Sequence, residues 1–258
     1  PMQDLTALFE EWPYDEEHNV RIVIAEDGRS ILQVRLPLGM EQYEMNGRPD
    51  RVRPYGKESV LANAEERLKR FIVENGSDVG FEISAEDAAE LQAEGILYYY
   101  RYLLLYQMQY FDMVVRDTEH NIHLCDLLER YCPDEEARNA VLQFRPYILR
   151  MNAAATAMSI RHGTTQGDAV AVLQTAIDII ESLEPIESPA FQFEQARSTN
   201  YLRSMMRSIS GDEDDTASEP SLETELQEAI EREDYERAAR IRDQLKDNGG
   251  FGRVDKES

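Results

Sequence analysis

Five side chains of the kinds that bind metals or act as nucleophiles fall close together: His120, His123, Cys125, Asp126 and Cys132. A zinc site needs donors that converge, and in sequence these come as Cys-x-x-Cys or His-x-x-x-His pairs. Here the offsets of three and five from His120 do not share one helical face, and no second pair supplies the missing ligands. The region reads as helix, and no metal or cofactor is expected. A second cluster, Arg48, Arg51 and Arg53, is the most basic spot in an acidic chain; it reads as scaffold, with a ligand role as the alternative. The third feature is aromatic. Ala88–Val115 carries Tyr98, Tyr99, Tyr100, Tyr102, Tyr106, Tyr110 and Phe111 among leucines and methionines. Rings on nearly every face imply burial on most sides, so this stretch reads as one central helix of a helical core. An aromatic ligand cavity is the sharper alternative. His18 and His162 stand alone and read as surface or capping residues.

Catalytic signatures are missing from the sequence. There is no phosphate-cradling Gly-x-x-x-x-Gly-Lys-Ser/Thr loop, no glycine-rich dinucleotide turn after a strand and no Gly-x-Ser-x-Gly elbow. Pairs of Asp and Glu are too common in this chain to nominate as acid and base.

The elements that would position these groups follow from periodicity. Asp4–Trp12 places Leu5, Leu8, Phe9 and Trp12 on one helical face. Val20–Ile24 and Ser30–Leu36 are strand-like, and Asp27-Gly28 between them is a strong hairpin signal. Gln42–Met45 and Arg51–Arg53 predict a second pairing around Asn46–Asp50. Ser59–Val73 reads as a helix stopped by Asn75-Gly76. Ser84 opens another, with Asp87 imitating a capping box. After Pro133, a helix is predicted from Asp134 through Ile148. Arg150–Leu183 reads as a helical hairpin turning at Gln166-Gly167-Asp168, in the general form of a tetratricopeptide-type pair. Phe191–Ile209 supplies a further helix, after Pro185 and Pro189 break the previous one.

Bulk properties narrow the function. The 258 residues carry a formal net charge of −24, with a sequence pI near 4.5. Phosphate backbones need clustered Lys and Arg, so the charge argues against direct nucleic-acid binding. Residues 210–258 hold 16 acidic and 7 basic side chains, so the acidity is not confined to the tail. Two cysteines do not make a disulfide scaffold. The opening residues lack the pattern of a signal peptide, and Ile96–Val115 is too interrupted by polar side chains to span a bilayer. A cytoplasmic protein without a membrane association is expected.

Near the C-terminus the periodicity sharpens. Leu222, Leu226, Ala229 and Ile230 recur at spacings of three and four. Glu233-Asp234 interrupts them, and Asp234 is suited to cap a second helix. Tyr235, Ala238, Ala239, Arg242 and Leu245 then repeat the pattern, before the stop at Asn248-Gly249-Gly250. Small Ala238 and Ala239 allow two helices to approach closely. So short a hairpin buries little core by itself, so it is read as docking on something or pairing with another copy. Ser210–Pro220 before it is small, acidic and without large apolar residues, as in a solvated linker; full extension spans roughly 35 Å.

Leu222–Leu245 resembles the UVR motif, the helical hairpin named after the excision-repair proteins UvrB and UvrC. Leu226, Ala229, Ile230, Asp234, Tyr235, Ala238, Ala239, Ile241, Arg242, Asp243 and Leu245 match its pattern in order. The resemblance implies a partner-binding hairpin, because such hairpins mediate contact between UvrB and UvrC. They also occur in the kinase activator McsA, whose family adds Cys-x-x-Cys zinc units that Cys125 and Cys132 do not supply. No phosphate loop of the UvrB kind accompanies the motif, and no match to the nuclease domains of UvrC is visible.

The expected architecture is mainly α. A β-rich segment at 1–57, holding a small antiparallel hairpin or sheet, precedes a multi-helix bundle at 58–209. An acidic linker at 210–221, the two-helix hairpin at 222–247 and a tail at 248–258 complete the chain. The expected function is a non-catalytic adaptor, linked to excision repair or stress response, that docks on a protein partner, UvrB/UvrC-like or otherwise. Leu226, Ala229, Ile230, Asp234, Tyr235, Ala238, Ala239, Arg242, Asp243 and Leu245 would make the contact. A homodimer of paired hairpins is the other assembly. An enzyme, or a small-ligand or metal-binding protein, using the aromatic helix 96–115 and the His120–Cys132 region, is the alternative.

Overall fold

The computed structural model describes residues 5–161 and 166–211. The chain divides into two units, Pro1–Ser210 and Gly211–Ser258. The linker beyond Gly211, the hairpin 222–247, the tail and His162 therefore lie outside the described residues.

The order begins with helix α1 (Thr6–Glu11) and strands β1 (Val20–Ile24), β2 (Ser30–Leu36) and β3 (Gly39–Glu44). The strands form one antiparallel sheet with β2 in the centre. At the first turn, Gly28 (φ +83) follows a tight turn in which its N–H bonds to Ala25 O at 2.9 Å. This is the three-residue hairpin with a left-handed glycine that the Asp-Gly pair favours. The second pairing differs from the one predicted. Arg51–Arg53 forms no strand; β3 instead folds back on β2, with Leu36 opposite Gly39 and Tyr43 opposite Leu32. Strand alternation divides the faces of the sheet. Leu32 and Val34 are buried together with Tyr43, Tyr102, Leu105 and Met151. Elsewhere on the sheet, the Arg35 guanidinium stacks on Phe9 at 3.8 Å and bonds to Trp12 O, while Arg21 stacks on Trp12 at 4.0 Å. Those contacts hold α1.

Helix α2 (Val60–Asn75) is capped by Ser59, whose Oγ accepts from Ala62 N at 2.9 Å, and it stops at left-handed Gly76. Helix α3 (Ala85–Gln107) opens with a complete capping box between Ser84 and Asp87. Asp87 also receives a bidentate bond from Arg67 on α2, at 2.9 and 3.0 Å. The single central helix predicted over 88–115 is in fact two. The chain reverses at Met108–Tyr110 and returns as α4 (Phe111–Tyr131), packed along α3. Gln109 N bonds to Tyr106 O and Tyr110 N to Leu105 O, with Gln109 left-handed at φ +63. That is a Schellman stop with glutamine where glycine usually sits. A left-handed L-residue costs roughly 1–2 kcal/mol, partly offset by the greater unfolded-state freedom of glycine. Gln109→Gly is therefore expected to raise stability by about 0.5–1 kcal/mol, seen as a later urea midpoint at unchanged slope.

Helices α5 (Glu135–Leu142), α6 (Arg145–Arg161), α7 (Gln166–Ser182) and α8 (Pro189–Ser210) complete the bundle. Asp134 caps α5 through Ala137 N. The helix predicted through Ile148 ends instead at Leu142, and a new one starts beside Pro146, a residue suited to a first helical turn. Gln166-Gly167-Asp168 is likewise no turn but the start of α7, and Pro189 opens α8. Helix α6 packs on α4, α7 and α8. Its Ala153, Ala154 and Ala157 face Leu173, Ile177, Ile180 and Leu202 in one apolar cluster. Small side chains there let the three helices approach closely. Among the described residues, no helix is long and apolar enough to cross a membrane.

Candidate functional site

Two arrangements of side chains draw on both α3 and α4. The first is structural. Arg101 and Asp117 are fully buried, joined by two bonds of 2.7 Å. The remaining arm of Arg101 donates to Glu44 O and Gly47 O, each at 2.7 Å, and Arg116 donates to Met45 O and Asn46 Oδ1. The loop after β3 is thus pinned to the helices by charge. About two turns earlier on α3, the buried Glu94 carboxylate accepts from Val60 N at 2.7 Å and Leu61 N at 3.0 Å, so an anion caps the N-terminus of α2. Arg48 reaches it at 2.8 Å. His120, stacked on Tyr98 at 3.7 Å, places Nε2 3.2 Å from Glu94 Oε1, close but without hydrogen-bond geometry.

Burial alone would raise the Glu94 pKa, but His120 and the Leu61 and Val60 amides outweigh it and hold it below its ordinary value. The Asp87 carboxyl is lowered by Arg67 against a smaller effect of burial. A folded-state pKa below the unfolded one adds stability above the unfolded value, and that stability is lost as pH falls through the folded value. Stability is therefore expected to drop below about pH 4.5, read as urea midpoints between pH 7 and pH 3. Glu94→Gln should flatten that slope.

The metal-type residues of 120–132 disperse. His123 is exposed, Asp126 pairs with Arg145, and Cys132 Sγ contacts Asp134 O. Cys125 is buried, and desolvation pushes its thiol up to about 12, so it supplies no thiolate at neutral pH. Among the described residues, no group of three or more His, Cys, Asp or Glu is placed to hold a metal ion. Arg48 is engaged by Glu94 and Asp50, while Arg51 and Arg53 are exposed beside it.

The second arrangement is a cleft of about 440 Å³ between α3, α4, α5, α6 and α8. The aromatic stretch contributes to it. Tyr98 is a core residue away from the cleft, whereas Tyr99, Tyr100 and the buried Tyr102 line it, and Tyr100 is 50% exposed. Phe144 and Tyr147 form another wall, and Asn121, Glu194 and Arg197 bring polar groups to it. Burial on most sides therefore holds for only part of the aromatic stretch. The signal that marks the cleft in sequence is Gly95, a glycine inside an otherwise strong helical pattern.

By architecture, the described chain is a helical bundle fronted by a three-stranded antiparallel sheet. The family model described as the UvrB/uvrC motif matches residues 220–247, so the C-terminal segment carries a UVR motif. The ten expected docking residues, Leu226 to Leu245, fall inside that match and outside the described residues. No curated protein and no solved structure matches the chain.

Proposed function

We propose that this is a non-catalytic adaptor of the cytoplasm, in which the bundle carries a UVR hairpin that docks on a protein partner. The observation that carries the reading is the motif match at 220–247. In the docked state, Leu226, Ala229, Ile230, Tyr235, Ala238, Ala239 and Leu245 bury against apolar helices of the partner, and Asp234, Arg242 and Asp243 fix orientation by charge. Helix-in-groove recognition uses such anchors at spacings of three and four. The net charge of −24 favours a protein surface over a phosphate backbone.

The test is affinity capture with the full chain and with a chain lacking 221–258. Loss of a saturable protein partner on deletion is expected; a full set of partners retained without the hairpin rejects the adaptor reading. Sedimentation of the full chain against residues 1–210 separates hetero-docking from self-pairing, which would make the partner a second copy.

A further inference from the structure

Three observations about the interhelical cleft meet at one atom. Asn121 is only 5% exposed, and its Nδ2 donates to Gly95 O at 3.0 Å. Its Oδ1 is buried and has no hydrogen-bond partner among the described residues. A buried acceptor without a donor is costly, and one that faces a cleft is open to a donor from water or a ligand. Next, Gly95 stands inside the 23-residue helix α3, where glycine is unfavourable relative to alanine. Packing does not require it: an added Cβ would meet Asn121 Oδ1 and Leu124 Cδ1 at 3.5 Å, ordinary contact distance. A methyl there would instead lie directly against the acceptor and cover part of it. Finally, Gly95 and Asn121 line a cleft with Tyr99, Tyr100, Phe144 and Tyr147 in its walls, within the size range of small-ligand sites.

We propose that the cleft binds a small, neutral, bicyclic nitrogen heteroaromatic whose ring N–H donates to Asn121 Oδ1. The tyrosine and phenylalanine rings supply flat apolar walls for stacked or edge contact. Charge selects a neutral ligand. Arg197 Nη1 lies 3.7 Å from Glu194 Oε1, so the cation on the α8 wall already faces an anion. Glu194 Oε2 is buried and without a hydrogen-bond partner among the described residues, so a further N–H on a larger member of the class meets an acceptor there also. Cys125 at the floor is a protonated thiol and adds only apolar contact. This site is independent of the C-terminal motif.

Calorimetric titration of the full chain with indole tests the proposal, with benzothiophene as the ring of matching shape that lacks the N–H. Indole is expected to saturate one site with a Kd on the order of 0.1–1 mM. Benzothiophene should bind at least fivefold more weakly, because it leaves Oδ1 unpaired. Gly95→Ala should raise Tm by about 2–4 °C, the helix-propensity gain for a chain of this size, while abolishing indole binding. Ile96→Trp, at a mouth position that is 45% exposed, should block the cleft without disturbing the core. Equal affinity for the two rings, absence of saturable indole binding to the full chain, or indole binding unchanged in both variants would each overturn the proposal.

Discussion

Asp117→Ala is expected to destabilise the Pro1–Ser210 unit by about 3–5 kcal/mol, the usual cost of removing one member of a buried ion pair. The size follows from what stays behind. Arg101 is fully buried and loses both bonds to Asp117, and Arg116 loses its 2.9 Å contact with the same carboxylate. Their donors to Glu44, Met45 and Gly47 carbonyls remain, but now bring uncompensated positive charge into the α3–α4 interface. Arg101→Met alone should cost less, because Asp117 keeps Arg116. Denaturant unfolding at pH 7 measures both, and a loss below 1 kcal/mol for Asp117→Ala would mean that the pair is not the pin described here.

Glu94→Ala should have an effect of similar size, about 3–5 kcal/mol. Truncation strands two buried amides, Val60 N and Leu61 N, at a helix start where an anion is favoured. It also removes the partner that draws Arg48 and His120 inward. The loss should concentrate at α2. Hydrogen exchange in Val60–Asn75 should therefore accelerate more than exchange in α7, whose core contacts are to α6 and α8. Uniform acceleration across both helices would argue against a local capping role.

These two charged centres were hidden in the sequence. Glu94, Arg101 and Asp117 are three among 78 charged residues, and nothing in their spacing distinguishes them from solvated surface. Their burial arises from long-range packing of α2, α3, α4 and the loop after β3. Local signals fared better where chemistry is local. Asp27-Gly28 specifies the first hairpin, Ser59 and Gly76 bound α2, and Ser84 with Asp87 opens α3. Helix boundaries failed where the usual punctuation is absent. Gln109 takes the left-handed position that glycine announces elsewhere, so 88–115 reads as continuous. The break after Leu142 has a readable mark in Pro146, though periodicity runs across it. The cleft sits between these cases: its rings are visible in sequence, but only the reversal at Gln109 and the return of α6 and α8 decide which of them face a cavity. The C-terminal motif was legible in full, because its identity lies in a short ordered string of residues that the match at 220–247 shares.

Contact through the apolar face of that string makes binding sensitive to one substitution in the full chain. Ile230→Asp puts a charge where a docked hairpin would be desolvated, at a position outside the Pro1–Ser210 unit. Affinity for the partner captured through 221–258 is expected to fall at least 30-fold, with unchanged thermal unfolding of the bundle. An affinity within twofold of the unsubstituted chain would contradict that mode of contact.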